Sequence, residues 1–148
     1  TPKPSSAASD VYKRQAKILP KESAVVMADR LRIEQVLINL LRNAIDAVKA
    51  SENPEIVVSI TSSDDIVLTV RDNGIGLSDL DTLFEPFHTT KPAGDGVGLG
   101  LAISSGILSE LDGRLTARNA AAGGAVFEIT MPAFTKNTVD ISGAEAAE

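Results

Sequence analysis

Residues 34–47 read EQVLINLLRNAIDA and carry the strongest structural pattern of the chain. Apolar residues recur every three or four positions from Ile33 to Val48, which is the spacing of an amphipathic α-helix. Asp29 stands where an N-cap belongs, and the pattern predicts a helix from there to about Ala50. The apolar stripe covers more than half of the helix circumference, so we expect a well-buried helix. Its predicted core positions are Ile33, Val36, Leu37, Leu40, Leu41, Ala44, Ile45 and Val48.

Three polar residues border that apolar stripe. Asn39, Asn43 and Asp46 follow one another at helical spacing, so they share one side of the helix. Their amide and carboxylate oxygens are the kind of ligand that Mg²⁺ prefers. An ordinary amphipathic helix with polar residues at its margin is the alternative, although two Asn residues, which are poor helix formers, weigh against it. The spacing alone leaves both interpretations open.

The second motif is RDNGIG, residues 71–76, at the end of a predicted strand. Alternate residues of this strand are apolar, and Asp72 continues the alternation, which directs its carboxylate toward the core. A buried carboxylate needs a hydrogen-bond donor, such as the exocyclic amine of adenine. Gly74 and Gly76 would let the backbone approach a flat ligand closely. The sequence DNG is also a common turn, so a plain turn is the alternative.

A long loop follows, with FEPFHTTKP at residues 84–92. Its two Phe residues flank a Pro and predict a loop docked on apolar surface. His88 is the only His of the chain, and a loop His is more often a bystander than a catalyst. A surface connection is the alternative, but a loop of this length without a role is unusual. The hydroxyl and ammonium groups suited to phosphate are those of Thr89, Thr90 and Lys91.

The fourth motif is GDGVGLGLAI, residues 94–103, in which alternating glycines precede an apolar helix. A glycine-rich turn that leads into a helix presents free amides and the positive end of the helix dipole to an anion. The motif is not a Walker loop or a dinucleotide fingerprint, and the HRD and DFG signatures of protein kinases are missing. A flexible hinge is the alternative. We predict the helix itself from Gly98 to Leu111.

The remaining segments alternate in hydropathy like strands and are separated by turn residues. Together with the two long helices they predict an α+β fold, in which a mixed or mostly antiparallel sheet carries its helices on one face. The predicted strands cover residues 24–27, 55–61, 66–72, 114–118 and 125–131, and a short helix covers residues 78–83.

Composition excludes several kinds of function. The 148 residues contain no Cys, which rules out a disulfide scaffold, a thiolate zinc site and a Cys nucleophile. The net charge of −6 argues against a nucleic-acid surface, and no apolar run approaches the ~20 residues of a membrane span. We interpret residues 1–15 as a non-native or linker segment, residues 16–134 as one domain of a longer protein, and residues 135–148 as a disordered tail.

In this order, the motifs resemble those of the GHKL superfamily, and the chain is similar to the catalytic ATP-binding domain of a bacterial sensor histidine kinase. The resemblance covers about residues 17–132, and the motif sequences are most similar to those of dicarboxylate-sensing and nitrogen-regulation-like kinases. The N box matches residues 34–47, the first glycine box 72–76, the F box 83–91, the second glycine box 96–104 and the closing strand 123–132.

The resemblance implies a two-layer α/β sandwich of the Bergerat type that binds Mg²⁺ and ATP between the long helix and a lid. It implies that Asn43 is the Mg²⁺ ligand, that Asn39 faces the phosphates or their water, and that Asp72 accepts from the adenine amine. Gly74 and Gly76 would shape the adenine pocket. The other nucleotide contacts assigned on this basis are Asp46, Thr89, Thr90, Lys91, Gly96, Val97, Gly98, Leu99, Gly100 and Leu101.

Two positions depart from the family pattern. The F box usually continues with a second aromatic residue where His88 stands, and related ATPases often have a Thr near Ala125. Neither departure removes a main ligand, but each bears on the details of the lid and of the base pocket.

A histidine kinase phosphorylates a His on a separate helical dimerisation domain, and no such helix pair occurs in this sequence. The resemblance therefore implies that the chain presents the γ-phosphate of ATP to that domain and does not autophosphorylate in isolation. It also implies a response-regulator receiver domain as a partner and a cytoplasmic location, without nucleic-acid or membrane contact. Two other classes stay open, namely a free-standing ATPase or anti-sigma-type Ser/Thr kinase of the superfamily, and a nucleotide-switched binding module.

Overall fold

The computed structural model describes residues 15–19, as backbone only, together with residues 26–87 and 99–134. The described residues form a five-stranded sheet in the order β1-β2-β3-β5-β4, with β1 parallel to β2 and the other pairs antiparallel. The predicted α+β class with a mixed sheet is confirmed. The elements are β1 (Gln15–Leu19), α1 (Arg30–Ala47), β2 (Glu55–Ser62), β3 (Asp65–Asp72), a 3₁₀ turn (Leu80–Thr82), α2 (Gly100–Glu110), β4 (Arg114–Asn119) and β5 (Ala125–Pro132).

Helix α1 begins at the predicted cap and ends earlier than predicted. The Asp29 carboxylate accepts a hydrogen bond of 2.9 Å from the Leu31 amide, which satisfies one of the free N–H groups of the first turn. The helix stops at Ala47 rather than Ala50. The carbonyl of Ala47 accepts from the Ile75 amide at 3.2 Å, so a loop takes the place of the next helical turn.

One hydrophobic core lies between the two helices and one face of the sheet. Buried residues of both helices pack against alternate residues of β3 and β5, which is the arrangement of a two-layer sandwich. Each fully buried aliphatic side chain contributes about 1.5–3 kcal/mol. The central members are Val36, Leu40 and Ala44 of α1, Ile107 and Leu108 of α2, Val70 of β3, and Phe127, Ile129 and Met131 of β5.

The helices are less deeply buried than their sequences predict. Ile45 was expected in the core, but 52% of its surface is exposed, and Ile103 of α2 is likewise exposed. In a two-layer sandwich only one side of each helix meets the sheet, so an apolar stripe wider than that side extends into solvent. Among the described residues, no helix is both long and apolar enough to cross a membrane.

The start of the sheet differs from the prediction. Residues 26 and 27 have no regular structure, so the strand predicted over residues 24–27 is wrong at least there. The sheet begins instead with β1, which starts at Gln15, the last residue of the segment interpreted as non-native or linker. Parallel pairing with β2 supports β1, and local hydropathy cannot reveal such a distant partner. The domain boundaries at residues 15 and 134 stay predictions.

The segment before α2 follows the prediction in part. The helix predicted over residues 78–83 is a single 3₁₀ turn. Phe84 packs against the core as expected, whereas Phe87 is 72% exposed and does not dock on apolar surface. The helix predicted from Gly98 to Leu111 is observed as Gly100–Glu110.

Candidate nucleotide site

Asp72 ends β3 with its carboxylate on the core side of the sheet. Only 3% of its surface is exposed, which confirms the direction predicted from strand alternation. Its Oδ1 atom accepts from the Gly74 amide at 2.8 Å and from the Ala125 amide at 3.3 Å. Burial raises the pKa of the Asp72 carboxyl, and these two amide bonds partly oppose the rise. The site therefore contains a buried acceptor that is costly to leave incompletely paired.

The second carboxylate oxygen of Asp72 is available to a ligand. Both hydrogen bonds of the carboxylate go to Oδ1, and Oδ2 accepts none from the described residues. In the described part of the chain, no side-chain oxygen is both sealed from solvent and without a partner. Among the described residues Oδ2 thus has no assigned donor, and it is the Asp72 atom at which a ligand amine could bind.

The loop that follows Asp72 is held by backbone and side-chain bonds to neighbouring elements. Asn73 accepts from the Glu55 amide at 2.8 Å and donates to the Asn53 carbonyl at 2.7 Å, which binds the loop to the start of β2. The Ile75 amide binds the carbonyl of Ala47 at the end of α1. These bonds attach the loop to both β2 and α1.

The glycines of this loop are required by its contacts with protein. A Cβ on Gly74 would lie 2.2 Å from the Ala47 carbonyl oxygen, which is backbone and cannot easily move away. Gly76 has φ +79°, where an L side chain is strained. Both glycines were assigned to a ligand surface, and the structure gives each a reason in the protein itself.

Sequence reasoning missed the β4–β5 turn as a part of this site. A Cβ on Gly124 would lie 1.9 Å from the carbonyl oxygen of Asp72, so only glycine fits beside that strand end. The next residue, Ala125, supplies one of the two amides on the carboxylate. Asn119 accepts from the Leu77 amide at 2.7 Å and donates to the Leu77 carbonyl at 3.0 Å. The sequence signals were the pair Gly123-Gly124, which predicted a turn, and the family position at Ala125, which was related to the base pocket but not to Asp72.

Asn39 connects the N box to the start of α2. Its Nδ2 atom donates to the Gly100 carbonyl at 3.3 Å and to Ser104 Oγ at 3.1 Å. Ser104 is fully buried on a helix face that is otherwise apolar. The structure therefore brings together two motifs that are 61 residues apart in the chain. Ser104 was not predicted, because a Ser at helical spacing gives no local sign of such a partner.

Asn43 and Asp46 lie half-buried on the same side of α1 as Asn39. Asp46 pairs with Lys49 at 2.8 Å, near the end of the helix. The described residues contain no cluster of three His, Cys, Asp or Glu side chains that could hold a metal ion. These residues offer few oxygens, so they fit Mg²⁺ only if phosphates and water supply the other ligands of the ion.

Helix α2 begins at Gly100, shortly after residues 88–98, which the structure does not describe. Its cap residue, Leu99, provides no side-chain hydrogen bond, and its carbonyl accepts from the Ile103 amide at 2.9 Å. The Leu101 side chain packs against the core, so only its backbone could reach a ligand. The other assigned phosphate contacts lie outside the described residues, namely Thr89, Thr90, Lys91, Gly96, Val97 and Gly98.

A mixed sheet and a helix layer that enclose a buried carboxylate, next to an Asn-bearing helix, are typical of GHKL-class ATP-binding domains. The chain belongs to the histidine kinase-, DNA gyrase B- and HSP90-like ATPase family, whose model matches residues 28–135. The fold and family implied by the sequence motifs are confirmed.

Individual relatives include sensor proteins, and a similar solved structure is a histidine kinase catalytic domain. The chain is 44% identical over 117 residues to the sensor protein FixL of Bradyrhizobium diazoefficiens, covering 76% of this chain and 23% of FixL. It is 44% identical over 108 residues to the C4-dicarboxylate transport sensor protein DctB of Rhizobium meliloti, covering 71% of this chain and 17% of DctB. It thus spans less than a quarter of these relatives. A nucleotide-free catalytic domain of histidine kinase ThkA matches with a TM-score of 0.69 and 32% identity over 87% of this chain and 86% of that one.

These similarities identify a histidine kinase-type ATPase catalytic domain. They do not favour the two alternatives, the free-standing ATPase or Ser/Thr kinase and the nucleotide-switched binding module.

Proposed function

We propose that this domain binds ATP with Mg²⁺ and presents the γ-phosphate to a His on a dimerisation domain elsewhere in its parent protein. The observation that carries the proposal is Asp72, a buried carboxylate with one oxygen bound by amides and the other open to a ligand. The exocyclic amine of adenine is a donor that fits this oxygen. Guanine carries a carbonyl at the same ring position, which would face Asp72 as a second acceptor.

The proposed site has an adenine end and a phosphate end. At the adenine end, Asp72 accepts from the amine and the loop behind it supplies a rigid wall. At the phosphate end, Asn43 would contribute an amide oxygen to Mg²⁺, and Asn39 and the first-turn amides of α2 would face the phosphates. Bound Mg²⁺ would neutralise phosphate charge. Phosphoryl transfer depends mainly on positioning and charge stabilisation, which is what such a domain can supply.

The acceptor and the later steps belong to other parts of the signalling system. In the proposed reaction the γ-phosphoryl group passes from ATP to an imidazole nitrogen of the acceptor His, and ADP leaves. A receiver domain of a response regulator would then take the phosphoryl group. We also propose a cytoplasmic location, because ATP is there and because this domain resembles those of sensor kinases.

The test is incubation of the chain with ATP labelled in the γ-phosphate, with and without the dimerisation domain of its parent kinase. We expect acid-labile, base-stable label on the added domain and none on this chain alone. Such label on the isolated chain, lost in His88→Gln, would make His88 the acceptor and contradict the proposal. Absence of label on the added domain, although ATP binds, would also contradict it.

A further inference from the structure

Asn119 holds both backbone groups of Leu77, although it is 42 residues away in the chain. Its Oδ1 accepts from the Leu77 amide at 2.7 Å, and its Nδ2 donates to the Leu77 carbonyl at 3.0 Å. One side chain thus imitates the hydrogen bonds of a neighbouring strand. The Leu77 side chain packs against the core, so this residue is fixed on both its backbone and its side chain.

Asn119 and Asp72 lie on one line across the end of the sheet. Asn119 is paired with Ala125 in the β4–β5 register, and the Ala125 amide binds the Asp72 carboxylate. Adjacent strands are about 4.8 Å apart, so Asn119 is roughly 10 Å from Asp72, with only β5 between them. The loop that begins after Asp72 therefore comes back to the same end of the sheet at Leu77.

The bond from Asn119 also determines how the loop returns. Gly76 has φ +79°, and a Cβ there would lie 3.0 Å from Asn119 Oδ1. Asn119 itself is exposed, so water competes for its bonds and their contribution to global stability is small. Its geometric effect is local, because its two bonds fix the position of the Leu77 backbone, where the loop from Gly74 ends.

We propose that Asn119 is a positioning residue of the adenine pocket, which holds the wall formed by residues 73–77 in the conformation that binds the base. This inference rests on the proposed binding of ATP. It concerns the adenine end, because the bonds of Asn119 go to Leu77 and the loop meets α1 at Ala47, the last residue of that helix.

The test compares Asn119→Ala with Thr116→Ala, which removes an exposed polar side chain from the same strand. Calorimetry measures the Kd of ATP and of ADP with and without Mg²⁺, and thermal melting confirms that each variant is folded at the temperature of the titration. For Asn119→Ala we expect weaker binding of both nucleotides by roughly 3- to 10-fold, which corresponds to about one net hydrogen bond. The factor by which Mg²⁺ strengthens ATP binding should not change, and Thr116→Ala should behave as the unmodified chain.

A second variant keeps the test valid if the alanine variant is too unstable to measure. Asn119→Asp keeps the shape and the acceptor but cannot donate to the Leu77 carbonyl, and it should weaken both nucleotides as well. Nucleotide affinities equal to those of the unmodified chain would overturn the inference, even if the melting temperature falls. A weakening confined to the response to Mg²⁺ would also overturn it. If the unmodified chain binds no nucleotide, the proposed function itself fails, which is a distinguishable result.

Discussion

Gly123 and Gly124 form a natural pair for testing how the β4–β5 turn supports Asp72. Both have positive φ, +99° and +90° respectively, so an alanine at either position is strained by about 1–2 kcal/mol. Their surroundings differ. A Cβ on Gly123 meets nothing within 4 Å, whereas a Cβ on Gly124 would lie 1.9 Å from the Asp72 carbonyl oxygen and 2.8 Å from the Asn73 Cα.

The expected losses of stability follow from these different surroundings. Carbon atoms of side chains essentially never approach an oxygen within 3.0 Å, so Gly124→Ala must separate the end of β3 from the turn by at least about 1 Å. Overpacking of this kind costs about 1–3 kcal/mol in addition to the strain. We expect Gly123→Ala to lose about 1–2 kcal/mol of stability and Gly124→Ala about 2–5 kcal/mol.

Urea denaturation followed by circular dichroism measures the stabilities, and calorimetry with ADP measures the site. Because the displaced carbonyl belongs to Asp72, Gly124→Ala should also weaken ADP by about 10-fold or more. Gly123→Ala should bind ADP normally under conditions in which it is folded. Equal losses of stability and equal affinities in the two variants would show that the close contact between Gly124 and Asp72 does not support the site.

Four further predictions test other parts of the structure. Burial raises the pKa of Asp72, and the adenine amine binds the ionised carboxylate. ADP affinity measured by calorimetry should therefore fall as the pH drops through that raised pKa. The variant Asp72→Asn should lack this pH dependence. For folding the sign is opposite: the stability contributed by Asp72 is complete below its unfolded-state pKa and is lost as the pH rises through the folded-state pKa, so Asp72→Asn should flatten this decline in urea titrations. Asn43→Ala should abolish most of the strengthening of ATP binding by Mg²⁺ and leave the circular dichroism spectrum unchanged, with the exposed Gln35→Ala as the control, and a normal response to Mg²⁺ would place the ligand elsewhere. Gly106→Ala, in the middle of α2 with nothing within 4 Å of the new Cβ, should stabilise the domain by about 0.5–1 kcal/mol in urea denaturation, and a loss of stability would contradict the described helix surface.

Local patterns predicted the parts of the fold that depend on local physics. The Asp29 cap and the helical period of α1 come from neighbouring residues, and strand alternation alone placed the Asp72 carboxylate in the core. Burial of Ile45 was predicted wrongly, because periodicity shows which residues share a side but not how many layers surround the helix. The strand β1 was missed for a similar reason, since its support comes from pairing with β2 about 40 residues later.

The support around the site was less predictable than its ligands. Asp72 and Asn39 belong to motifs whose residue types suggest chemistry on their own. Asn119 and Ser104 act through partners 42 and 65 residues away, and nothing in their local sequence identifies those partners. Only the tertiary structure shows that Asn119 holds Leu77 at the end of the loop after Asp72, and that the buried Ser104 hydroxyl accepts from Asn39.

Calorimetric titration of the chain with Mg²⁺-ATP and with Mg²⁺-GTP shows whether Asp72 selects adenine in an ATP site. The phosphates and the ion are the same in both titrations, so any difference reports on the base. We predict that ATP binds about 10-fold or more tightly than GTP, and that Asp72→Asn loses this preference while its fold persists. Equal binding of ATP and GTP by the unmodified chain, or an unchanged preference in Asp72→Asn, would contradict the account.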